Sequence, residues 1–280
     1  MIRCRQGCLA VSLAFLLFSL ALGPAWAQEA KPEAQKVVAV MPFVNLARDT
    51  GLAWLGDGIA ETMTTKLSQV PTLTVVERTR LDGVLKEIVL GQSGVVDDST
   101  AAKAGKMLGA TTVVVGAYQK SGESVRFTAR SVEVASGKVL KASEATGKMG
   151  EIFVLEDRLA EDIVAAHGLA LKPEQLQALQ AKPTSDPAAY ELANRAEMAA
   201  KAGNPEKAAL LLRKAIEKDP RFAQAVFGLA KVEEKMGHLR KARGLYLRYL
   251  DLARVGHEPP FRVKAAKERS QALGQGKDRP

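Results

Sequence analysis

AEMAAKAGNPEKAALLL (residues 196–212) and AKVEEKMGHLRKARGLY (residues 230–246) align without a gap. Ala196, Gly203, Ala208 and Leu212 recur as Ala230, Gly237, Ala242 and Tyr246, each 34 residues later. Small residues at fixed places in two helical patterns, with a glycine turn inside each, describe a helix-turn-helix unit and one repetition of it. Stacked units of this kind are surfaces that hold other molecules. The C-terminal third therefore reads as a binding module, without chemistry of its own.

The module has clear edges. Asp186-Pro187 is a helix start, with Asp at the N-cap and Pro at the first helical position. The first repeat runs from about Ala189 to Phe222 and the second from about Ala223 to Gly256, so the repeats occupy 186–256. Pro259-Pro260 opens a basic helix, and 257–273 is expected to cap the repeats; otherwise the upstream domain or a second chain covers them. Residues 274–280 read as a disordered tail. Charge follows the same division. Residues 182–280 hold 21 basic and 12 acidic side chains, whereas 28–181 hold 17 and 19. A basic module suits an anionic partner or simply well-solvated helix faces.

Upstream, Val37–Phe43 (VVAVMPF) is a continuous apolar run, the pattern of a buried strand with Pro42 near its end. Asn45–Leu52 reads as a loop with turn chemistry at Asp49-Thr50-Gly51. Leu55, Ile59, Met63 and Leu67 mark one face of a helix, with Asp57, Glu61 and Lys66 off that stripe. Leu73–Val76 is a second strand, Leu81–Ile88 a helix ending near Gly91, and Thr100–Leu108 a helix stopped by Gly109 and preceded by the capping cluster Asp97-Asp98-Ser99. Thr111–Gly116 is a third strand. Hairpins follow, turning at Ser121-Gly122 and Ser136-Gly137. Val125, Phe127 and Ala129 alternate with polar residues, then the apolar phase slips to Val132 and Val134. Either a β-bulge near Arg130-Ser131 or a core-facing Ser131 accounts for the slip. Lys138–Ala145 is the next strand, and Ile152, Leu155, Leu159 and Ile163 form a helix face. The order β-α-β-α-β-β-β-α over 36–171 predicts an α/β mixed-sheet domain, followed by the all-α repeat module. The Gln- and Ala-rich 172–185 reads as a linker, helical in part.

At the N-terminus, Arg3 and Arg5 precede the apolar run Leu9–Leu22, then Gly23-Pro24 and Ala25-Trp26-Ala27. This is the order of a secretory signal peptide, 1–27, cleaved after Ala27 or else kept as an anchor. Residues 28–35 form a flexible leader. Cys4 and Cys8 would leave with the signal, so no disulfide, thiol chemistry or lipid anchor is expected. The expected location is the periplasm, with outer-membrane association as the alternative. Export and the lack of interleaved stacking aromatics argue against nucleic acid.

VVAVMPFVNL, WLGDGIAETMTTKLSQ, LTVVERTRLDGVLKE and AGKMLGATTVVVGAYQKSGESVRFTARSVEVASGKVL together resemble the CsgG-like envelope proteins and, equally, the TolB amino-terminal-like (FlgO-like) domain. The C-terminal units resemble tetratricopeptide (TPR) repeats, with Arg254 where proline usually closes the second. These resemblances imply a non-catalytic domain that docks envelope components or a second copy of itself, joined to a protein-binding groove. The tight turns at Ser121-Gly122 and Ser136-Gly137 leave no room for membrane-spanning hairpins, so a pore is not carried over.

No cofactor, metal or catalytic constellation is expected. His167, His238 and His257 are scattered. Gly56-Asp57-Gly58 lacks the third glycine of a dinucleotide loop and reads as a loop glycine pair with a first-turn Asp. By analogy with the repeat, Tyr190, Ala193 and Glu197 line the groove from the first unit, and Phe227, Lys231 and Lys235 from the second. Alternatively, Phe227 packs between repeats. Such a basic, aromatic groove suits a peptide with apolar and acidic side chains. Glu77 and Arg78 end a strand at the carboxyl edge of the sheet, where α/β folds place ligands; alternatively they cap the following helix or pair with neighbouring loops. Two functions compete: an adaptor for a curli, secretion, flagellar or wall-synthesis machine, or a sensory protein that binds a small molecule or glycan near Glu77. Contact with anionic envelope polymers fits either.

Overall fold

The computed structural model describes residues 35–77, 80–84 and 98–275. The expected signal, the leader up to residue 34, Arg78, Asp97, most of the helix expected to end near Gly91, and 276–280 lie outside the described residues. Among those described, six strands form one mixed sheet in the order β3-β1-β4-β5-β6, with β2 also paired to β4. β1 (Lys36–Val40) runs parallel to β3 (Leu73–Val75) and to β4 (Thr112–Ser121). β5 (Ser124–Glu133) and β6 (Val139–Lys148) continue antiparallel beyond β4.

The first strand is not continuous to Phe43 as expected. Pro42 has no N–H to give to the ladder. Pairing stops at Val40, opposite Val114, and resumes in β2 (Val44–Asn45), where Val44 faces Ala117. One extra residue on this side makes a bulge, and Asn45, expected in the loop, belongs to β2. Asp49 does supply turn chemistry: its carboxylate accepts the Gly51 N–H at 2.8 Å. The detour also brings the Phe43 ring over Gly116, where a Cβ would stand 2.3 Å from a ring carbon.

α1 (Trp54–Leu67) and α3 (Ile152–Ala166) cover one face of the sheet, and α2 (Asp98–Leu108) covers the other. This division explains the phase slip in β5. Val125, Phe127 and Ala129 point to the α1/α3 face, and so does the buried Ser131, opposite Val114. Val132 and Val134 face α2 instead, with Val113 and Val115. Ser131 therefore does face the core, and the extra residue sits on the neighbouring strand: Ser131 pairs with Lys141 but Val132 with Val139. Gly105 lets α2 settle there, because a Cβ would lie 2.7 Å or less from Val113 and Val134 methyls.

Gly56 and Gly58 are not in a loop; both lie inside α1. Gly56 permits a close crossing, with its carbonyl accepting the Phe43 N–H at 3.1 Å. The stretch 172–185 is helical in part and held against the α/β domain. Pro173–Leu179 forms α4, and Leu179 is fully buried. Lys66, 2% exposed, ties it down: its ammonium donates to the carbonyls of Leu179 (2.7 Å) and Ala181 (3.2 Å) and pairs with Asp157 at 2.6 Å.

The repeats follow as α5 (Pro187–Lys201), α6 (Pro205–Lys218), α7 (Ala223–Lys235) and α8 (Leu239–Ala253). Asp186 caps α5 by accepting the Ala188 and Ala189 N–H groups. Gly203 (φ +79°) and Gly237 (φ +82°) take the same left-handed turn, 34 residues apart. α9 (Pro260–Gln275) runs past the expected start of the tail and packs Ala266 against the core of the second repeat. One continuous apolar core runs from β1 through α1 and α3 into α5, α6 and α7. The two repeats thus have both ends covered, one by the α/β domain and one by α9. Among the described residues no helix is long and apolar enough to cross a membrane.

Gly56→Ala should destabilise the chain by about 1–3 kcal/mol in denaturant unfolding, because its Cβ would stand 2.2 Å from the Phe43 carbonyl oxygen. Gly150→Ala, with open space around it, should stay within about 0.5 kcal/mol of the parent.

Candidate functional site

α1 is the hub of the molecule. Its stripe Leu55, Ile59, Met63 and Leu67 is fully buried towards the sheet, and its remaining faces meet the repeats. Gly58 lies under Asn194 of α5, where a Cβ would come within 2.9 Å of the Asn194 amide. One turn on, the Thr62 and Tyr190 hydroxyls share a hydrogen bond of 2.8 Å. The Tyr190 hydroxyl also donates to Glu156 of α3 at 2.8 Å. Its ring meets Phe153 and Trp54 edge to face, at 5.3 and 6.0 Å between centroids. Tyr190 and Glu156 are both 0% exposed. Further along α1, Glu61 pairs with Arg262 of α9, which also pairs with Glu258 at 3.0 Å and is 4% exposed. Burial alone would lower the Arg262 pKa, but Glu61 and Glu258 carry it upward, so the guanidinium stays charged.

α1 thereby spans the repeat surface and encloses a cavity of about 360 Å³. Three helices of the C-terminal module contribute in parallel: Ala193, Glu197 and Lys201 from α5; Gln224, Phe227 and Lys231 from α7; Phe261, Ala265 and Arg269 from α9. Leu212 and Tyr246 deepen the apolar floor. The opposite wall belongs to the α/β domain and is acidic: Asp57 and Glu61 of α1, with Glu77 and Asp82. Lys201 bridges Asp57 and Asp82 at 3.2 Å each.

The residues expected at two separate places are therefore brought together at one cavity. Glu77, Ala193, Glu197, Phe227 and Lys231 line the same cavity. Phe227 also packs between repeat helices, against Tyr246 and Tyr249 at 5.8 and 5.0 Å, while staying half-buried at the cavity. Two expected groove residues are elsewhere. Tyr190 is wholly consumed in joining the modules. Lys235 is exposed in the last turn of α7 and outside the lining, one helical turn beyond Lys231. The groove is also not uniformly basic, because its facing wall is supplied by carboxylates more than a hundred residues upstream. The residues missed from sequence are Trp54, Thr62, Glu156 and Arg262. Each is an ordinary member of its own helix, and nothing local marks it as a bridge.

The histidines stand apart. His167 Nδ1 bonds the Ile163 carbonyl oxygen at 2.8 Å, and His238 pairs with Glu233 at 2.6 Å. His257 accepts the Gln69 side-chain amide on its carbonyl at 3.2 Å.

Residues 25–126 match the family model described as curli production assembly/transport component CsgG, and residues 199–257 match a tetratricopeptide repeat model. A curated relative, putative adenylate cyclase 3 of Rhizobium meliloti (strain 1021), is 27% identical over 207 residues, covering 72% of this chain and 34% of that protein. The chain thus spans about a third of that relative's length. Among solved structures, the LpoB C-terminal domain from Escherichia coli aligns with a TM-score of 0.34 at 16% identity, covering 41% of this chain and 83% of that one. Lipoprotein GNA1162 from Neisseria meningitidis aligns at 0.35 and 19%, covering 49% and 99%. TolB from Acinetobacter baumannii aligns at 0.33 and 15%, covering 49% and 29%.

Burial pushes the Glu156 carboxyl up to about 8 from an ordinary 4.5, against the opposing pull of Tyr190 and Lys66. The folded chain therefore keeps a proton that the unfolded chain releases. This contribution to stability is complete below pH 4.5 and is lost as the pH climbs towards 8. Glu156→Gln, which keeps the acceptor for Tyr190, should remove that loss. The variant's melting temperature should gain on the parent by at least about 2–4 °C between pH 5 and pH 8. Burial holds His167 below its ordinary 6.5, which tilts stability the other way, so the difference between variant and parent isolates the carboxyl.

Proposed function

We propose that this chain is a non-catalytic interaction protein of the bacterial envelope, an adaptor whose two modules act as one body and hold a partner at the cavity between them. The observation that carries this reading is the shared construction of that cavity, with Glu77 and Glu61 from the α/β domain and Phe227 and Lys231 from the repeats. TPR units serve protein binding rather than chemistry, and the CsgG-type match points to envelope assembly work. The basic–apolar–small order of residues 1–27 supports export to the periplasm. The cyclase activity in the relative's name stays with that longer protein. Docking of curli, secretion, flagellar or wall-synthesis components, and self-association through the α/β domain, all fall within this reading.

A second reading, a sensory protein for a small ligand, is favoured by the cavity itself. Its 360 Å³ sits at the small end of ligand sites, about 300–1,000 Å³, and Glu77 opens onto it.

Phe227→Ala combined with Lys231→Glu should abolish capture of a cross-linked envelope partner in cells, while the variant still unfolds cooperatively at a melting temperature lowered by about 4–12 °C through the lost packing on Tyr246 and Tyr249. Undiminished capture by a folded variant would remove the cavity from partner binding.

A further inference from the structure

We propose that the cavity binds a small zwitterion of the amino-acid type, with its apolar side chain on the Phe227 floor. The proposal rests on the cavity being the binding site, and it names the chemistry of the ligand.

The other cations around the cavity already lie against carboxylates. Lys201 lies between Asp57 and Asp82, Arg262 between Glu61 and Glu258, and Arg269 pairs with Glu234. Glu77, Glu197 and Lys231 are left, and these three form no ion pair among the described residues. Two carboxylates and one ammonium, the latter held only over the Phe227 ring at 6.0 Å from its centroid, thus line the hollow without an ion-pair partner.

Their arrangement follows from the repeat. Glu197 and Lys231 are 34 residues apart, so they occupy the same position in successive units, on the neighbouring helices α5 and α7. Packed helices lie about 8–10 Å axis to axis. The acid and the base are therefore near enough to bracket one small molecule, yet they do not neutralise each other. A ligand ammonium would face Glu197, backed by Glu77 across the cavity, and a ligand carboxylate would face Lys231. Between them the half-buried Phe227 ring, with Leu212 and Ala193, offers apolar surface for a side chain. A simple cation would leave Lys231 unanswered, and a simple anion would meet two unpaired carboxylates; a zwitterion answers all three groups.

The test is a calorimetric titration of the full-length protein with L-leucine, L-methionine, L-valine and L-phenylalanine. Parallel titrations use 3-methylbutylamine and 4-methylpentanoate, which are leucine without its carboxylate and without its ammonium, and an end-blocked acidic peptide. At least one amino acid should bind, and the two single-charge analogues should bind at least tenfold more weakly than leucine or not at all. Glu197→Gln, isosteric at a half-buried position, and Lys231→Gln, at an exposed one, should each weaken the amino acid at least tenfold without lowering the melting temperature. The proposal is overturned if no amino acid binds, if the amine alone binds as tightly as leucine, or if the blocked peptide binds in place of them. Partner capture by the parent protein alongside silent amino-acid titrations would sink this proposal and leave the docking reading standing. Amino-acid binding without partner capture would do the reverse.

Discussion

A tyrosine hydroxyl taken out of water must find new partners or cost the fold a hydrogen bond. The Tyr190 hydroxyl finds two, both in the other module: Thr62 on α1 and Glu156 on α3. Around it, Trp54 and Phe153 close an aromatic cage. These contacts fix where α5 lies on the α/β domain. Everything C-terminal to it then follows by stacking, because each later repeat helix packs on the one before. The position of the cavity, and the carboxylates that reach it, are consequences of that one anchorage.

Two further bonds close the figure that Tyr190 begins. Lys66 draws the chain between the modules against α1 and α3, using backbone carbonyls and Asp157. Arg262 joins the last helix back to α1 through Glu61. A pair of repeats is fewer than such arrays ordinarily need for stability. Here the α/β domain replaces the missing neighbour on one side and α9 on the other, and an isolated module has become part of a larger core. The same arrangement changes what the concave surface offers. α1 lies across it and narrows an open groove for an extended peptide into a small hollow with one acidic wall.

Much of this was legible in the chain. The i+4 stripe of Leu55, Ile59, Met63 and Leu67 places α1 on a sheet, and the 34-residue echo places the repeats. Asp186-Pro187, Gly109, Gly203 and Gly237 mark helix ends through capping and backbone geometry that hold in any context. Glu197, Phe227 and Lys231 reach the cavity because repeat position alone decides which helix face they occupy. What the chain hides are contacts across long separations. Tyr190 occupies a position that would face a groove in a free-standing array, and only the domain packed on it turns that position inward. Glu156 and Lys66 look like solvated charges on the polar side of amphipathic helices, since periodicity records one buried face and these helices have two. Gly56 and Gly58 read as a loop because glycine is costly inside a helix. The crossings they permit, with Phe43 and Asn194, are invisible until the fold is assembled.

The central claim is that the α/β domain and the repeats are one cooperative unit held by Tyr190. Differential scanning calorimetry of the full chain tests it most directly. The account predicts a single transition whose calorimetric and van't Hoff enthalpies agree, shifted as a whole to lower temperature by Tyr190→Ala. Two separate transitions, with the α/β domain melting unchanged in the variant, would contradict it.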